Sequence, residues 1–500
     1  MGARKIAIIG AGPGGLAAGM ILSAKGFRVQ IFEKQPYVGG RTSSFTEKGY
    51  TFDLGPTFLS MPHILEEVFE SSNRKLEDYT TLKELDPMYS LSFDEMTIRA
   101  TRDPDKMKKN IEQLFPGNGE SYERFMVDTR KKMAALSPIL QNNHASLFDY
   151  MRLRTLKALP QLELGKSLYE VLSKYFDDER LKLSFTFQSK YLGMSPWDCP
   201  GAFSILSFME HEYGVFHPIG GLNQLTKSMA KVVKEHGGEI HTGVGVKKLL
   251  LDDRRAVTGL ELDDGELVEA DDVIMNADFA QGMTKLIDDD KRRKFKNIHL
   301  QKKKYSCSTF MIYAGVNQPI DLDHHTILFS DDYKKNVEEI TKTKILSDNP
   351  SIYVQNASVT DPTLAPQGKS ALYILAPVPN NFSGIDWNNE TDTFRELIFN
   401  QIKKRTGLKD LESNIEVEKV LTPYDWEHQK HVYKGATFNL AHNLGQMMYF
   451  RPHNQFNEID RLWLVGGGTH PGSGLPTIFE SARITASLLI KKYSKEEVKI

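Results

Sequence analysis

The stretch KIAIIGAGPGGLAAGMILSAKGFRVQIFEK, residues 5–34, decides the fold of this 500-residue chain. Its first residues, Lys5–Ile9, are short and apolar, which predicts a buried strand, and RVQIFEK predicts a second strand that ends at Glu33. The residues between the two strands predict a helix, with Gly26 at its C-terminal cap. This order of strand, helix and strand predicts a parallel α/β unit at the start of the chain.

The glycines of this stretch follow the G-x-G-x-x-G spacing at Gly10, Gly12 and Gly15. The first glycine allows a tight turn, the second lets the backbone approach a pyrophosphate, and the third lets the helix pack closely on the strand. The helix N-terminus supplies amide donors for phosphates, and Glu33 is placed to accept hydrogen bonds from a ribose hydroxyl. The motif predicts a dinucleotide site and leaves NAD and FAD open.

Two further segments favour the same site. VGGRTSSF, residues 38–45, and GYTFDLGPT, residues 49–57, follow soon after Glu33, and the guanidinium of Arg41 offers planar donors for an anion. Near the C-terminus, RLWLVGGGTHPGSGLPTIFESARITASLLI, residues 461–490, predicts a buried strand, a glycine-rich turn and a helix. A glycine-rich turn that enters a helix lets the backbone approach a cofactor closely.

These segments resemble the flavin amine oxidase superfamily, and the whole chain resembles its carotenoid desaturases, which act on phytoene or on 4,4′-diapophytoene (dehydrosqualene). The residues that carry the resemblance are YTFDLGPTFLSMP (50–62), FQSKYLGMSPWDCPGAFSIL (187–206), YGVFHPIGG (213–221), FSDDYKKNVEEI (329–340) and GTHPGSGLP (468–476). The resemblance implies FAD as the cofactor. Many members of the superfamily carry an acid where this chain has Gly467, and carotenoid desaturases often carry a small residue there.

The resemblance also implies roles for individual residues. Gly40 and Arg41 would lie near the pyrophosphate, Gly55–Thr57 near the flavin ring, and the backbone of Val246 would pair with adenine. The expected cofactor-binding residues are Gly10, Gly12, Gly14, Gly15, Glu33, Lys34, Gly40, Arg41, Gly55, Pro56, Thr57, Val246, Gly466, Gly467, Gly474 and Ile478. His470 is the one candidate catalytic residue, with a structural role as the alternative, and the sequence has no metal-ligand spacing.

By this resemblance the chain is expected to be an FAD-dependent oxidoreductase that acts on CH–CH groups and introduces conjugated double bonds into a linear isoprenoid. The hydrophobic polyene substrate would be 4,4′-diapophytoene (C30), with phytoene (C40) as the other candidate. The alternatives are a 4,4′-diaponeurosporene terminal-methyl oxidase, an amine oxidase and a non-catalytic prenyl-lipid carrier of the Rab GDP-dissociation inhibitor type. The number of desaturation steps, the electron acceptor (oxygen or a quinone) and the oligomeric state stay open.

The predicted fold class is α/β, with a discontinuous Rossmann-like FAD-binding domain over residues 1–75, 213–280 and 455–495. Residues 76–212 are expected to form a largely helical insertion that faces substrate and membrane. Residues 281–454, with strand-like runs such as CSTFMIYAGV and SALYILAPV, predict a mixed α+β substrate-binding domain.

Composition sets the remaining expectations. A formal net charge of −2 gives no field that would attract nucleic acid. Cys199 and Cys307 are the two cysteines, expected as buried small hydrophobes, so we expect no disulfide framework and a cytoplasmic protein. With no apolar run near 18 residues, no spanning helix is predicted.

Some charged segments have two interpretations. MRLRTLKALPQL (151–162), DKMKKN (105–110) and LQKKKY (300–305) are basic, and with the family resemblance they predict peripheral contact with a membrane surface. The charged run Glu210–Glu212 precedes a predicted cofactor-side strand, and a solvated face is favoured there over a catalytic role.

Overall fold

The computed structural model describes residues 4–143, 159–163 and 165–497. In these residues the strands are, in chain order, β1 Lys5–Ile9, β2 Arg28–Glu33, β3 Ser44–Glu47, β4 Tyr50–Asp53, β5 Leu59–Ser60, β6 Leu82–Glu84, β7 Tyr89–Phe93, β8 Met96–Ala100, β9 Val215–Pro218, β10 Glu239–Thr242, β11 Val246–Leu251, β12 Val257–Leu262, β13 Leu267–Glu269, β14 Asp272–Met275, β15 Ser308–Val316, β16 His325–Leu328, β17 Ile352–Asn356, β18 Ser370–Val378, β19 Ile415–Leu421 and β20 Leu462–Leu464.

The α-helices of the same residues are, in chain order, α1 Pro13–Ala24, α2 Pro62–Ser71, α3 Pro104–Leu114, α4 Gly119–Leu140, α5 Leu168–Leu172, α6 Glu179–Ser184, α7 Ile205–Tyr213, α8 Asn223–Glu235, α9 Phe279–Leu286, α10 Asn297–Gln301, α11 Tyr333–Glu338, α12 Trp387–Thr406, α13 Pro423–His428 and α14 Leu475–Glu497. Within this described part, none of the helices has the length and apolar character needed to cross a bilayer.

A five-stranded parallel sheet forms the first layer, with the strand order β10-β2-β1-β14-β20. The predicted strand–helix–strand unit at the N-terminus is confirmed, since β1 and β2 pair in parallel and α1 connects them. Chain segments far apart in sequence meet in this sheet. Because all five strands run the same way, the loops that follow β1, β2, β14 and β20 meet at one edge, where α/β proteins bind ligands.

Helix α1 packs closely against both the sheet and α14, because it contains small residues. As a result, α1 has no exposed face. A Cβ added at Gly15 would lie 2.2 Å from the carbonyl oxygen of Gly10, and one at Gly19 would lie 2.9 Å from Ile31 Cδ1. The helix is buried along nearly its whole length. Its N-terminus is therefore held directly behind the loop that follows β1.

The second layer is a seven-stranded mixed sheet with the order β19-β15-β18-β17-β16-β7-β8. Its neighbours pair antiparallel except β16 and β7, which run parallel. The strand-like runs predicted within residues 281–454 are thus strands of one sheet. Residues 76–212 are helical from α3 onward but begin with β6, β7 and β8, because the backbone of β7 finds its partner in β16, far along the chain. The division into domains stays a prediction.

Helices cover the space between the two sheets. α7 packs against α4 and against β5, the short strand that follows residues 55–57. β5 and β6 pair with β9, which follows α7 directly. Residues 151–158 of the basic, leucine-rich segment 151–162 lie outside the described residues.

Candidate functional site

One large cavity, with a volume of about 750 Å³, begins at the carboxyl edge of the parallel sheet and continues between the seven-stranded sheet and the helices. Every residue expected to bind the cofactor lines this cavity except Gly15. That glycine instead packs α1 on the preceding turn, as its close approach to Gly10 shows. Residues spread over more than 450 positions of sequence therefore surround one space.

Backbone atoms form the first part of the cavity wall. Gly40 has a φ of +54°, and a Cβ there would lie 3.3 Å from Gly12 Cα. A Cβ at Gly14 would lie 2.6 Å from Asn276 Oδ1. Side chains at these positions would fill the trough at the N-terminus of α1, where a pyrophosphate can accept amide hydrogen bonds.

The guanidinium of Arg41 is held at the edge of this trough. Its Nη1 donates to the carbonyl oxygen of Thr437 at 2.7 Å, and its Nη2 pairs with Asp278 Oδ2 at 2.7 Å. With its amide oriented to suit both neighbours, Asn439 donates to Asp278 at 2.6 Å and accepts from Arg41 at 3.0 Å. Burial raises the pKa of Asp278, and the charge of Arg41 opposes that rise. Since a guanidinium has five N–H donors, some stay available to an anion.

Glu33 lies at the other end of the trough, beside Lys34 and Val246. Its Oε2 accepts from the Ala11 amide at 2.8 Å and its Oε1 from the Gln35 amide at 2.8 Å. Burial raises the pKa of this carboxyl, and the hydrogen bonds from backbone amides oppose the rise. A carboxylate has about four lone-pair sites, so Glu33 can still accept from a ribose hydroxyl.

Four buried polar atoms of cavity-lining side chains have no hydrogen-bond partner among the described residues. They are Thr437 Oγ1, Trp426 Nε1, Tyr333 Oη and His442 Nδ1. Buried polar atoms are normally satisfied, so a ligand that supplies partners would be stabilised here. With the glycine trough and the fixed guanidinium, these residues fit a dinucleotide.

Three tyrosines tie the loop Gly55–Thr57 and the residue before it, Leu54, to the seven-stranded sheet. Tyr373 donates to the carbonyl oxygen of Gly55, Tyr353 to Thr57 Oγ1, and Tyr313 to the carbonyl oxygen of Leu54, each at 2.7 Å. Sequence reasoning missed these residues. A signal was available, because all three tyrosines lie in runs that predict strands, and Tyr313 and Tyr373 are direct partners across β15 and β18.

Arg451 supports the glycine-rich turn of residues 466–474 through hydrogen bonds to its backbone. This fully buried guanidinium donates to the carbonyl oxygens of Gly467 and Thr469, and burial lowers its pKa to about 9. Gly466, Gly467, Gly474 and Ile478 line the cavity above it. Sequence reasoning also missed Arg451, which lies outside every motif.

His470 does not line the cavity, although its neighbours Pro471 and Gly472 do. Its ring is buried, and its Nε2 lies 3.0 Å from the carbonyl oxygen of Asn142, just beyond α4. The structure therefore gives no support to the catalytic role expected for His470. The turn presents its backbone to the cavity and directs this side chain the other way.

Beyond the cofactor-binding residues, the cavity opens into a chamber with an apolar wall. Its side chains come from both layers and include Phe58, Ile64, Met133, Phe203, Leu206, Met209, Ile327, Phe329 and Leu375. Lys190 and Glu210 interrupt this wall, and the buried Glu480, which is bonded to Arg483 and Gln141, also lines the cavity. The Lys190 Nζ lies 4.6 Å from the centre of the Tyr333 ring, and burial lowers its pKa to about 8.

The prediction that Glu210–Glu212 form a solvated face is wrong for two of the three residues. Glu210 and His211 are 4% and 3% exposed. Only Glu212 reaches the surface, where it pairs with Arg130 at 2.7 Å. The run is buried because α4 and the 3₁₀ segment Phe187–Leu192 pack on α7, which the local sequence does not reveal. Both cysteines are free and buried, as expected.

Comparisons with known proteins agree with this geometry. A model of the family "flavin containing amine oxidoreductase" matches residues 13–490. The chain is 48% identical to a 4,4′-diapophytoene desaturase (4,4′-diapolycopene-forming) of Methylomonas sp, over 98% of this chain and 96% of that protein. It is 38% identical to a zeta-carotene-forming phytoene desaturase of Myxococcus xanthus, over 97% and 94%. Among solved structures, an oxidoreductase from Methanosarcina mazei matches with a TM-score of 0.65, 19% identity and coverage of 97% and 100%, which shows the fold alone.

Proposed function

The chain belongs to the flavin-containing amine oxidoreductase family, among its carotenoid desaturases, and we propose that it introduces conjugated double bonds into a linear isoprenoid. The observation that carries this proposal is the single cavity that joins the dinucleotide trough to an apolar chamber. FAD is the cofactor, and when bound it supplies the two-electron oxidation of a C–H bond. A hydrocarbon in the chamber would therefore have an oxidant at one end of its own binding site.

The residues of the chain have separate tasks in this proposal. The glycine trough, Glu33 and Arg41 hold the dinucleotide, and the tyrosine-anchored loop Gly55–Thr57 supports the ring end. The apolar wall binds the hydrocarbon and excludes water from it. A saturated C–C unit has no polar group to recognise, so the shape of the chamber sets which carbons are presented.

We propose 4,4′-diapophytoene as the substrate, with phytoene as the alternative. The names of the two relatives support both, and the higher identity is to the protein named for 4,4′-diapophytoene. Oxidation of a terminal methyl group of a carotenoid is the second candidate reaction, because it would use the same cofactor and an apolar chamber. A carrier role is disfavoured, since a carrier does not need the intact dinucleotide trough.

Pigment analysis tests the proposal. The chain would be produced in a colourless host with a dehydrosqualene synthase, or with a phytoene synthase, and the extracts resolved by chromatography and absorbance. Coloured polyenes from either precursor establish a desaturase and identify the chain length. No colour from either, with oxygenated product from supplied diaponeurosporene, would move the assignment to the terminal oxidase.

We also propose that the protein contacts a membrane surface from the cytoplasm, where it would take up its substrate and pass electrons to oxygen or a quinone. Exposed apolar side chains support this, because Leu444 and Phe450 are 52% and 61% exposed. They lie in the loop that follows the cavity-lining His442. The Gln446 side chain of that loop bonds the backbone N–H and carbonyl of Lys304, so a basic segment lies alongside it.

A further inference from the structure

We propose that Glu210 accepts the proton that the substrate loses when each double bond forms. This inference rests on the proposed desaturase function. It assigns a residue of the chain to the removal of the proton, the part of the reaction that the flavin does not perform.

One stripe of α7 faces the chamber. Leu206, Met209, Glu210 and Tyr213, which follow the spacing i, i+3, i+4 and i+7 of a single helix face, all line the cavity. Glu210 is the acidic member of this otherwise hydrocarbon and aromatic stripe. Burying a carboxyl in such a wall costs free energy, so its presence there points to a chemical use.

The two oxygens of Glu210 have different surroundings. Oε2 accepts from the Tyr89 hydroxyl at 3.0 Å and from the Gln188 amide at 2.8 Å. Oε1 accepts no hydrogen bond from the described residues. It is nevertheless not one of the unpaired polar atoms that the described residues shield from solvent. One oxygen is therefore fixed by the protein, and the other is open to the cavity.

The position of α7 brings this carboxyl near the ring end of the cofactor site. α7 packs on β5, which begins two residues after the tyrosine-anchored loop Gly55–Thr57. β9, which starts two residues after α7 ends, pairs with β5 through Ser60 and Val215. A substrate lying along the stripe of α7 would thus pass between Glu210 and the loop.

One carbon of the saturated unit gives up a hydride to the flavin, which is the two-electron oxidant, and the adjacent carbon gives up a proton to Glu210 Oε1. The electron pair of that second C–H bond becomes the new double bond. The carboxyl then returns its proton to water, and the two electrons of the hydride, with its proton and one proton from water, would reduce an acceptor of the oxygen or quinone class.

A base must be ionised to act, and burial raises the pKa of Glu210 to about 7, while the bonds from Gln188 and Tyr89 oppose the rise. The other ionisable groups of α7 are His211, Glu212 and Tyr213, and the elements packed around it contribute Tyr122, Arg130, Lys132 and Lys190 among others. Arg130 pairs with Glu212, and Lys132 bonds Glu163 and Ser204, so their charges are engaged elsewhere. The rate of desaturation should therefore fall as the pH falls below about 7.

The test compares the full FAD-loaded enzyme with Glu210→Gln, which keeps the size of the side chain, and with Glu212→Gln, a control on the same helix. We expect kcat for Glu210→Gln to fall about 10²- to 10⁴-fold, the range of general base catalysis, with unchanged FAD binding and an unchanged KM. The control should keep its rate. If the wild type desaturates and Glu210→Gln does so equally well, the inference is overturned while the proposed function stands; a wild type that never desaturates overturns the function itself.

A second variant and a spectroscopic measurement keep the test independent of folding failure. Tyr89→Phe removes a hydrogen bond that lowers the pKa of Glu210, so the acidic limb of the kcat profile should move to higher pH. A purely structural glutamate would leave the limb in place. The infrared difference spectrum between wild type and Glu210→Gln should also show a protonated-carboxyl band that titrates near pH 7; a difference spectrum without such a band would contradict the assignment.

Discussion

A side chain at Gly12 would crowd Asn276 and enter the cavity. A Cβ at this position would lie 3.2 Å from Asn276 Nδ2, and the residue lines the cavity where we propose that the pyrophosphate binds. Glu33 acts at the other end of the same trough, through a carboxylate that two backbone amides hold in place. We propose that these two residues control cofactor binding, Gly12 by steric fit and Glu33 by hydrogen bonding.

Gly12→Val should abolish FAD binding, because the branched side chain would occupy the space of the pyrophosphate. The flavin absorbance of the purified protein measures the effect. Gly445→Val is a matched control, since a Cβ at this exposed glycine would approach no atom closer than Asn443 Oδ1, at 3.5 Å. Full FAD occupancy in Gly12→Val would contradict the assignment of the trough.

Glu33→Gln should weaken FAD binding by about 1–3 kcal/mol, the range for a hydrogen bond to a charged group. The amide keeps the shape of the side chain but places a donor where the ribose hydroxyl needs an acceptor. Isothermal titration of the apoprotein with FAD gives the dissociation constant. Glu239→Gln, on the neighbouring strand β10, should leave it unchanged, and an unchanged constant for Glu33→Gln as well would argue against the ribose contact.

At the scale of elements, the seven-stranded sheet positions a loop of the other layer. β15, β17 and β18 each contribute one tyrosine, and their hydroxyls bond Leu54, Thr57 and Gly55. The sheet therefore does more than enclose the chamber, because it fixes the loop that we propose supports the ring end of the cofactor. Hydroxyls on rigid strands hold such a loop more exactly than neighbouring loops could.

The double variant Tyr353→Phe/Tyr373→Phe should loosen this loop without emptying the trough. Each lost hydrogen bond removes about 1 kcal/mol, so the rise in melting temperature on adding FAD should become smaller than in the wild type. Tyr305→Phe is the control, since its hydroxyl donates to Leu300, away from the loop, at 2.9 Å. An unchanged FAD-induced shift in the double variant would show that the tyrosines do not position the loop.

At the scale of the whole molecule, the cavity must open to a source of hydrocarbon. Leu444 and Phe450 are exposed in a loop that lies against the basic segment at Lys302–Lys304. Apolar side chains beside lysines can bind an anionic bilayer through burial and charge together. This arrangement is a candidate membrane-contact surface.

Leu444→Ser/Phe450→Ser should reduce binding to vesicles that contain anionic lipid, because burying each large apolar side chain contributes about 1.5–3 kcal/mol. Co-sedimentation with the vesicles measures the bound fraction. Leu267→Ser removes an equally exposed side chain, 64% accessible, from the distant strand β13 and should have no effect. If both variants lose vesicle binding equally, or if neither variant loses it, this loop is not the membrane contact.

The sequence by itself determined the cofactor half of this protein. The turn at Gly10–Gly15, the strands beside it and the glycine-rich turn near residue 470 are local patterns, because the steric demands of a tight turn and of a phosphate act within a few residues. The parallel sheet then brought these segments together, as their order along the chain predicts. Of the residues expected to bind the cofactor, Gly15 departed from that expectation, because it packs α1 on the preceding turn and does not line the cavity.

The tertiary structure alone decided the substrate half. His470 belongs to the cofactor turn in sequence but directs its ring toward Asn142, whereas Glu210 looks solvated in sequence and yet lines the chamber. Burial of Glu210 depends on Tyr89 and Gln188, which come from elements separate from α7. The reason is physical: the environment and the pKa of a side chain are set by what packs around it, and these neighbours are fixed only by long-range contacts.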